Sequence, residues 1–495
     1  MRLPTARPLL HLPGQVFWLT ALALVAGCGP REAPEPVGRN VLLISLDTTR
    51  VDYLGCYGHA AGLTPRLDAL AQDGVRFDRA IATAGLTPMS HASMLTGRNP
   101  YSHGLRVFYG ELGHRLPPEV PSLPEILGNR GWRTAAFVSA YPLAEQFGLN
   151  RGYQKFSTGI GDSLAHLDLS KPQGYGKLLK DARRNESQRR ADYAVDDALT
   201  WLEEHGESGR WHLWLHLFDA HDPSLIPPAE FASEHGVVYG DKPPFEGPDA
   251  AKEIYEFELR WIDSQVGRLI DWLESSKQYE NTLVIVVADH GQGMADGKKR
   301  HDWSQHRLLY DWSIHVPMLF HIPGELPGMV VPELVRTTDI LPTVLEVLDL
   351  SPPEGIQGRS LMPLLRGQLD EPRIAYADAL NLEDSYSPQN KLPVVQRDNL
   401  YVAMDQRWKL IVHAKTPENS ELYDLANDPL ELKNVLAEHP EEVARLRSFL
   451  KSENAFRMIA SGGGGAAPDA DALNDLGYTG EGDEPSPGAK LKQTE

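Results

Sequence analysis

Asn40-Val41-Leu42-Leu43-Ile44-Ser45-Leu46-Asp47-Thr48-Thr49-Arg50 is the stretch on which the fold turns. From Asn40 to Leu46 the apolar residues are nearly continuous rather than alternating. A strand built from them needs cover on both faces, as in a buried parallel sheet. The run ends at a carboxylate, Asp47. Three further runs of this kind lie downstream: Trp132 to Val138 (WRTAAFV), Trp211 to Phe218 (WHLWLHLF) ending at Asp219, and Asn281 to Ala288 (NTLVIVVA) ending at Asp289. Helical patterns fall between them. Arg66 to Asp73 spaces Leu67, Leu70 and Ala71 on one side, and Ile254 to Glu274 places Tyr255, Leu259, Ile262, Val266, Leu269, Ile270 and Leu273 on one face. Strands alternating with helices predict an α/β sheet covered by helices on both faces. In such sheets the site lies just past the carboxyl ends of the strands, where Asp47, Asp219 and Asp289 fall.

The flanks read differently. Arg2 and Arg7 precede an apolar run from Val16 to Ala26, which ends in Val25-Ala26-Gly27-Cys28. Basic residues followed by a short apolar run predict a signal peptide over 1–27. The small residues before Cys28 resemble a bacterial lipobox, with Cys28 lipidated; the other reading is a plain signal peptide with an incidental cysteine. Residues 28–39, rich in proline, are expected to serve as an extended tether. The expectation is an exported bacterial lipoprotein, membrane-anchored, periplasmic or at the cell surface. The main α/β unit is expected over 40–370. From Tyr376 the texture shifts to short strands (Tyr401 to Met404, Trp408 to His413), Glu421-Leu422-Tyr423-Asp424-Leu425 and a helix near Pro440 to Lys451. This predicts a smaller α+β subdomain over 371–455. A Gly-, Asp- and Pro-rich tail over 456–495 has the composition of a disordered segment.

The chain of 495 residues has a formal net charge of −20, with 41% hydrophobic and 23% charged residues, so its surface repels nucleic acid and no basic patch argues for it. The only cysteines, Cys28 and Cys56, have no zinc-ligand spacing; Cys56 reads as a packed thiol, and Trp211 and Trp214 as core.

Four stations carry chemistry. Asp47 is either a ligand for a hard cation or a helix N-cap. Leu86-Thr87-Pro88-Met89-Ser90-His91 sets a hydroxyl at a helix start, where exposed N–H groups favour negative charge, or else forms an ordinary capped helix. Asp219-Ala220-His221-Asp222 and Asp289-His290-Gly291, the latter followed by His301, His306 and Tyr310, pair carboxylate and imidazole as metal sites do. His301 is either a further ligand or a polar loop residue.

Taken together, these segments resemble the sulfatase family of the alkaline-phosphatase superfamily. The resemblance rests on Asn40 to Gly55, Thr64-Pro65-Arg66-Leu67-Asp68, Ser90 to Arg98, Asp289-His290-Gly291 with Val316-Pro317, and Glu421 to Leu425 with Asn427-Asp428-Pro429, in that order along roughly 40–450. It implies an alkaline-phosphatase-like α/β/α sandwich with a smaller C-terminal subdomain. It also implies one divalent metal ion, calcium by family habit with magnesium, manganese or zinc as alternatives, held by Asp47, Thr87, Asp289 and His290. Thr87 is the implied nucleophile. His91 matches the arginine that steadies it, and His221 and His306 match residues that contact the anion or protonate the leaving group. Arg98 matches a structural position in the Thr-Gly-Arg turn.

Three departures stand out. Thr48 replaces a second aspartate. The lysine-and-histidine pair expected after the next strand is absent, with Ser139 and Tyr141 in its neighbourhood. Thr87 stands where sulfatases carry a cysteine or serine oxidised to formylglycine. The hydrated aldehyde has two hydroxyls, one to attack sulfur and one to expel sulfate; threonine has one. At phosphorus a single metal-activated hydroxyl is enough, because water can then cleave the phosphothreonine. The expected function is therefore hydrolysis of a sulfate or phosphate ester of a small molecule, glycan or lipid. The alternatives are a phosphodiesterase or phosphotransferase of the same superfamily and an inactive, sulfatase-like surface binding protein.

Overall fold

The strand expected at Asn40–Leu46 forms over those residues in the computed structural model, and every one of its side chains is buried. The described residues are 39–458, apart from 61, 109–112, 160–186, 222–224, 240–243, 246–248, 294–305, 327 and 385–397 and the side chain of His306. The leader, Cys28, the tether up to residue 38, Asp222, His301 and the C-terminal tail from 459 onward lie outside them.

Nine strands make the main sheet: β1 (Asn40–Leu46), β2 (Val75–Ile81), β3 (Arg133–Phe137), β4 (Lys155–Ser157), β5 (Trp211–Leu217), β6 (Thr282–Ala288), β7 (His315–Val316), β8 (Met318–His321) and β9 (Met329–Arg336). Their order is β4-β3-β5-β1-β6-β8-β2, with β7 and β9 also paired to β2. The five strands from β4 to β6 are mutually parallel, and β8 is antiparallel to both β6 and β2. Among the described residues, six helices reach eight residues: α1 (Pro65–Asp73), α2 (Thr87–Thr96), α3 (Ala191–His205), α4 (Ala250–Ser275), α5 (Ile340–Val347) and α6 (Pro440–Ser452).

The continuous apolar runs explain the layering. Val41 and Leu43 point into one core with Trp214, Leu283, Ile285 and Val287, closed by α2 and α5. Leu42, Ile44 and Leu46 point the other way, with Leu213, Leu215, Val284 and Val286, against α1, α3 and α4. Parallel strands need crossovers, the helices in those crossovers cover both faces, and so both sets of side chains must be apolar. β2 (VRFDRAI) has no apolar signature in the sequence, because Arg76, Asp78 and Arg79, which are only half-buried, interrupt the pattern. Trp211 and Trp214 are core, as expected, and Cys56 is half-buried with its thiol pushed up to about 12 by burial and by Asp68.

A second, antiparallel sheet follows: β10 (Ala375–Leu380), β11 (Asn399–Met404), β12 (Trp408–His413) and β13 (Glu421–Asp424), in chain order. One face packs on α6 through Leu446 and Leu450; the other meets Ile81, Leu334 and Ile314 at the edge of the main sheet. Charges cross this junction as well. Lys409 and Glu431 pair at 2.7 Å, Glu431 accepts the Asp311 N–H at 2.6 Å, and Asp311 pairs with Arg79 of β2 at 2.9 Å.

Both members of the Lys409–Glu431 pair are excluded from water, at 0% and 1% exposure. Removing one charge strands the other, at a cost of about 3–5 kcal/mol. Glu431→Gln is expected to lose stability on this scale in urea unfolding, and Lys409→Met combined with Glu431→Leu to recover most of it.

Candidate active site

Strand pairing assembles the site. β1 and β6 run side by side with Leu46 opposite Ala288, so the next residues, Asp47 and Asp289, emerge together at the carboxyl edge of the sheet. His290 follows directly, and α2 begins at Thr87 over the same edge. The Thr87 hydroxyl lies 3.3 Å from Asp47 Oδ2, to which it donates, and 3.3 Å from His290 Nε2. His290 Nδ1–H donates to the Gly291 carbonyl at 2.9 Å, which leaves the Nε2 lone pair facing the threonine. Gly291 is needed here, since a Cβ would sit 2.0 Å from the Trp312 carbonyl oxygen.

Asp47, Asp289 and His290 each offer a ligand atom, all within 4.8 Å of one another, and all three residues are fully buried. Asp289 Oδ1 accepts the backbone N–H groups of Thr48 at 3.1 Å and His290 at 2.8 Å. Asp47 Oδ1 and Asp289 Oδ2 are buried and accept no hydrogen bond. Burial, and then the charge of Asp289, pushes the Asp47 carboxyl well above the ordinary range. Against its own burial, Asp289 is held below that range by His290, His91 and His216. Two buried carboxylates this close cannot both ionise without a positive charge between them. The orphaned oxygens and the imidazole lone pair fit a divalent cation, and these three residues with the Thr87 hydroxyl would hold it.

The loop after β1 is shaped to this end. Thr48 adopts φ +49°, a conformation costing about 1–3 kcal/mol for a β-branched residue. Its N–H goes to Asp289, and its carbonyl accepts the Tyr255 hydroxyl of α4 at 2.8 Å. The same phenol oxygen accepts the Arg50 N–H at 2.9 Å. Asp47 is thus no helix cap, and Tyr255, which the sequence offered only as an apolar face position, holds the loop through its hydroxyl.

The other expected residues fall in different places. His91 is buried beneath Thr87. Its Nδ1–H donates to the Thr87 carbonyl at 2.8 Å, and its Nε2 accepts the Ser45 hydroxyl at 2.9 Å. Ser45 in turn accepts the Trp214 indole N–H at 2.8 Å. His91 therefore steadies the backbone of the first helical turn rather than the hydroxyl, and burial lowers it to about 3. The third station divides: Asp219 turns away to accept the Ala191 N–H at the start of α3, at 3.1 Å, and lies outside the three-residue metal cluster. His221 stacks on Phe218 with centroids 4.4 Å apart and is lowered to about 3 by burial, then by His290. His306 opens a single turn, His306–Leu308, anchored by Arg307, which is buried and pairs with Asp384 of the C-terminal region at 3.0 Å. Asp384 also accepts the Phe108 N–H at 3.3 Å. Arg98, placed in the turn after α2, donates to the Glu354 carbonyl at 2.6 Å. One residue went unread: His216 of β5, whose Nε2 lies 3.0 Å from Asp47 Oδ2. Its signal was a polar ring, one of two with His212, inside an otherwise apolar strand.

A carboxylate pair, an imidazole and a helix-start hydroxyl at this edge of such a sheet agree with the family model described as Sulfatase, which matches residues 39–350. The chain belongs to the sulfatase family. A second model, described as N-sulphoglucosamine sulphohydrolase, C-terminal, matches residues 299–455. The arylsulfatase of Clostridium perfringens is 26% identical, over 84% of this chain and 94% of its own. Human arylsulfatase A is 27% identical, over 84% of this chain and 86% of its own. Among solved structures, the phosphonate monoester hydrolase from Silicibacter pomeroyi superposes with a TM-score of 0.64 at 22% identity, over 85% of this chain and 96% of its own. The fold is the alkaline-phosphatase-like α/β/α sandwich with a C-terminal domain, and the chain is a sulfatase-like ester hydrolase of a family that generally uses a divalent metal.

Asp289→Asn removes the charge of a candidate metal ligand while keeping the shape. Residues that only support a ligand are worth about 10–100-fold in metal affinity, so losing a ligand charge is expected to weaken binding at least about 100-fold. Chelator competition on the purified chain, with circular dichroism to confirm folding, checks this.

Proposed function

We propose that this sulfatase-family protein hydrolyses a phosphoryl or phosphonyl ester through a covalent adduct on Thr87, which stands at the position of the family's formylglycine. The observation that carries the reading is the Thr87 hydroxyl, 3.3 Å from both Asp47 Oδ2 and His290 Nε2 at the first residue of α2. In the proposed mechanism the ester lies over the start of α2, where the positive end of the helix dipole favours the negative charge that builds on the non-bridging oxygens. Thr87 gives its proton toward Asp47 and attacks phosphorus in line, and the bond to the leaving oxygen breaks. His306 is assigned the proton for that oxygen, and His221 a hydrogen bond to the ester. Water then gives a proton to His306 and attacks the phosphothreonine, the bond to Thr87 Oγ1 breaks, and the proton held at Asp47 returns to restore the hydroxyl. When bound, the divalent cation supplies charge neutralisation and Lewis acidity at this point. Calcium is proposed on the family resemblance; magnesium, manganese and zinc suit the oxygen-rich, single-nitrogen set as well, and elemental analysis separates them.

Sulfate ester hydrolysis is the second reading, favoured by the arylsulfatase relatives. It needs a way to break the threonine sulfate that a single hydroxyl does not offer. The substrate is proposed to be a small-molecule, glycan or lipid ester. Cys28 is proposed as a lipid anchor that holds the protein at the membrane of an exporting cell. No helix among the described residues is long and apolar enough to cross a membrane. Cys28→Ala is expected to move the protein from the membrane fraction to the soluble fraction.

A panel of aryl sulfates, phosphomonoesters, phosphodiesters and phosphonate monoesters separates the two readings. Thr87→Ala is expected to lower kcat at least about 1000-fold while Asp47, Asp289 and His290 still bind the metal, less tightly for want of the hydroxyl, and Thr87→Ser to stay within about tenfold of the parent. Rapid quench with a phosphonate ester should show the adduct on the Thr87 peptide. Full activity in Thr87→Ala, or sulfate release with no turnover of phosphorus esters, rejects the proposal.

A further inference from the structure

The geometry points to His216 as a positioning residue that sets which oxygen of Asp47 faces the cation and which faces Thr87. This rests on the reading of Asp47, Asp289 and His290 as the metal site. β5 is buried along its whole length, and His216 has no exposed surface. A buried imidazole requires partners for both nitrogens. Ser139, just past β3, donates its backbone N–H to His216 Nδ1 at 3.2 Å and its hydroxyl to the His216 carbonyl at 2.6 Å. Because Nδ1 accepts, the ring is neutral and its one proton is on Nε2. That N–H lies 3.0 Å from Asp47 Oδ2 and donates to it.

The consequence lies in Asp47. Oδ2 receives two donors, the His216 ring and the Thr87 hydroxyl, while Oδ1 receives none and remains buried. A carboxylate flips by rotation about one bond, and its two oxygens are otherwise equivalent. The fixed donor breaks that equivalence: Oδ2 is held toward His216 and Thr87, and Oδ1 is left for the cation. The same ring packs edge-on against His91, centroids 5.2 Å apart at 80°, and His91 holds the Thr87 carbonyl. One side chain from β5 thus touches the proposed ligand and packs on the residue that sets the nucleophile's backbone. Ser139, in the neighbourhood where the resemblance expects a lysine-and-histidine pair, instead orients this ring through its N–H.

The test uses the full chain and calcium, with manganese and zinc in parallel. His216→Phe is expected to weaken metal binding about 10–100-fold by chelator competition, the scale for a residue that orients a ligand. His216→Gln, which keeps a donor near the Nε2 position, is expected to recover most of the loss. In an Asp47→Asn background the Phe substitution should change affinity less than about twofold, because its effect runs through that carboxylate. Where the Phe variant does not fold, His216→Met against His216→Gln makes the same comparison. Wild-type affinity in the folded apolar variant, or an undiminished effect in the Asp47→Asn background, overturns the inference. Asp289→Asn is the reference: unchanged binding there would remove the metal-site reading itself, whereas loss there with no loss in His216→Phe would remove only the role of His216.

Discussion

Two aspartates forced together at the end of adjacent parallel strands are the constraint around which the rest of this molecule is arranged. The register of β1 against β6 puts Asp47 beside Asp289, and both are fully buried. Placing two like charges in so dry a space is unfavourable by several kcal/mol unless donors and a cation offset it. The surrounding structure supplies the donors: two backbone N–H groups to Asp289, a ring N–H and a hydroxyl to Asp47. One oxygen on each aspartate is left without any. The left-handed Thr48, the phenol of Tyr255 and the close approach at Gly291 are the local adjustments that let the two loops meet in this geometry.

Histidines do much of the polar work, and backbone carbonyls and amides decide how. His290 and His91 each donate Nδ1–H to a carbonyl, so that Nε2 is a lone pair; His216 accepts an amide at Nδ1, so that Nε2 is a donor. The same side chain thus turns a lone pair toward the candidate cation site in one case and a donor to Asp47 in another. Burial holds His91, His216 and His221 at about 3, which keeps these roles fixed over the neutral range. The C-terminal sheet takes part as well. Arg106 pairs with Asp378 of β10, and Arg307, next to His306, pairs with Asp384 just past β10, so the turn that carries His306 is held from the C-terminal region.

Much of this was legible in the linear sequence, for a physical reason. Uninterrupted apolar runs have few uses besides a doubly covered parallel strand, and a carboxylate directly after such a run must emerge at the sheet edge. From this, Asp47 and Asp289 could be placed at one edge, and the resemblance added Thr87 and His290. The strand β2 stayed hidden because it lies toward the edge of the sheet and carries Arg76, Asp78 and Arg79 on its half-buried positions. The order of the strands was equally out of reach, since hydrogen bonding to a neighbour leaves no periodic trace in the chain.

What the sequence determined by itself was the type of layer, the residues available for chemistry and the family they belong to. What the tertiary structure decided was the partner of each buried polar group. His216 meets Asp47 across 169 residues of chain, and Tyr255 meets Thr48 across 207. Within its own segment each looks like a core residue, because local pattern reports burial and not direction. A hydrogen bond is fixed by an ångström-scale distance and an angle, and only the folded backbone sets either of them.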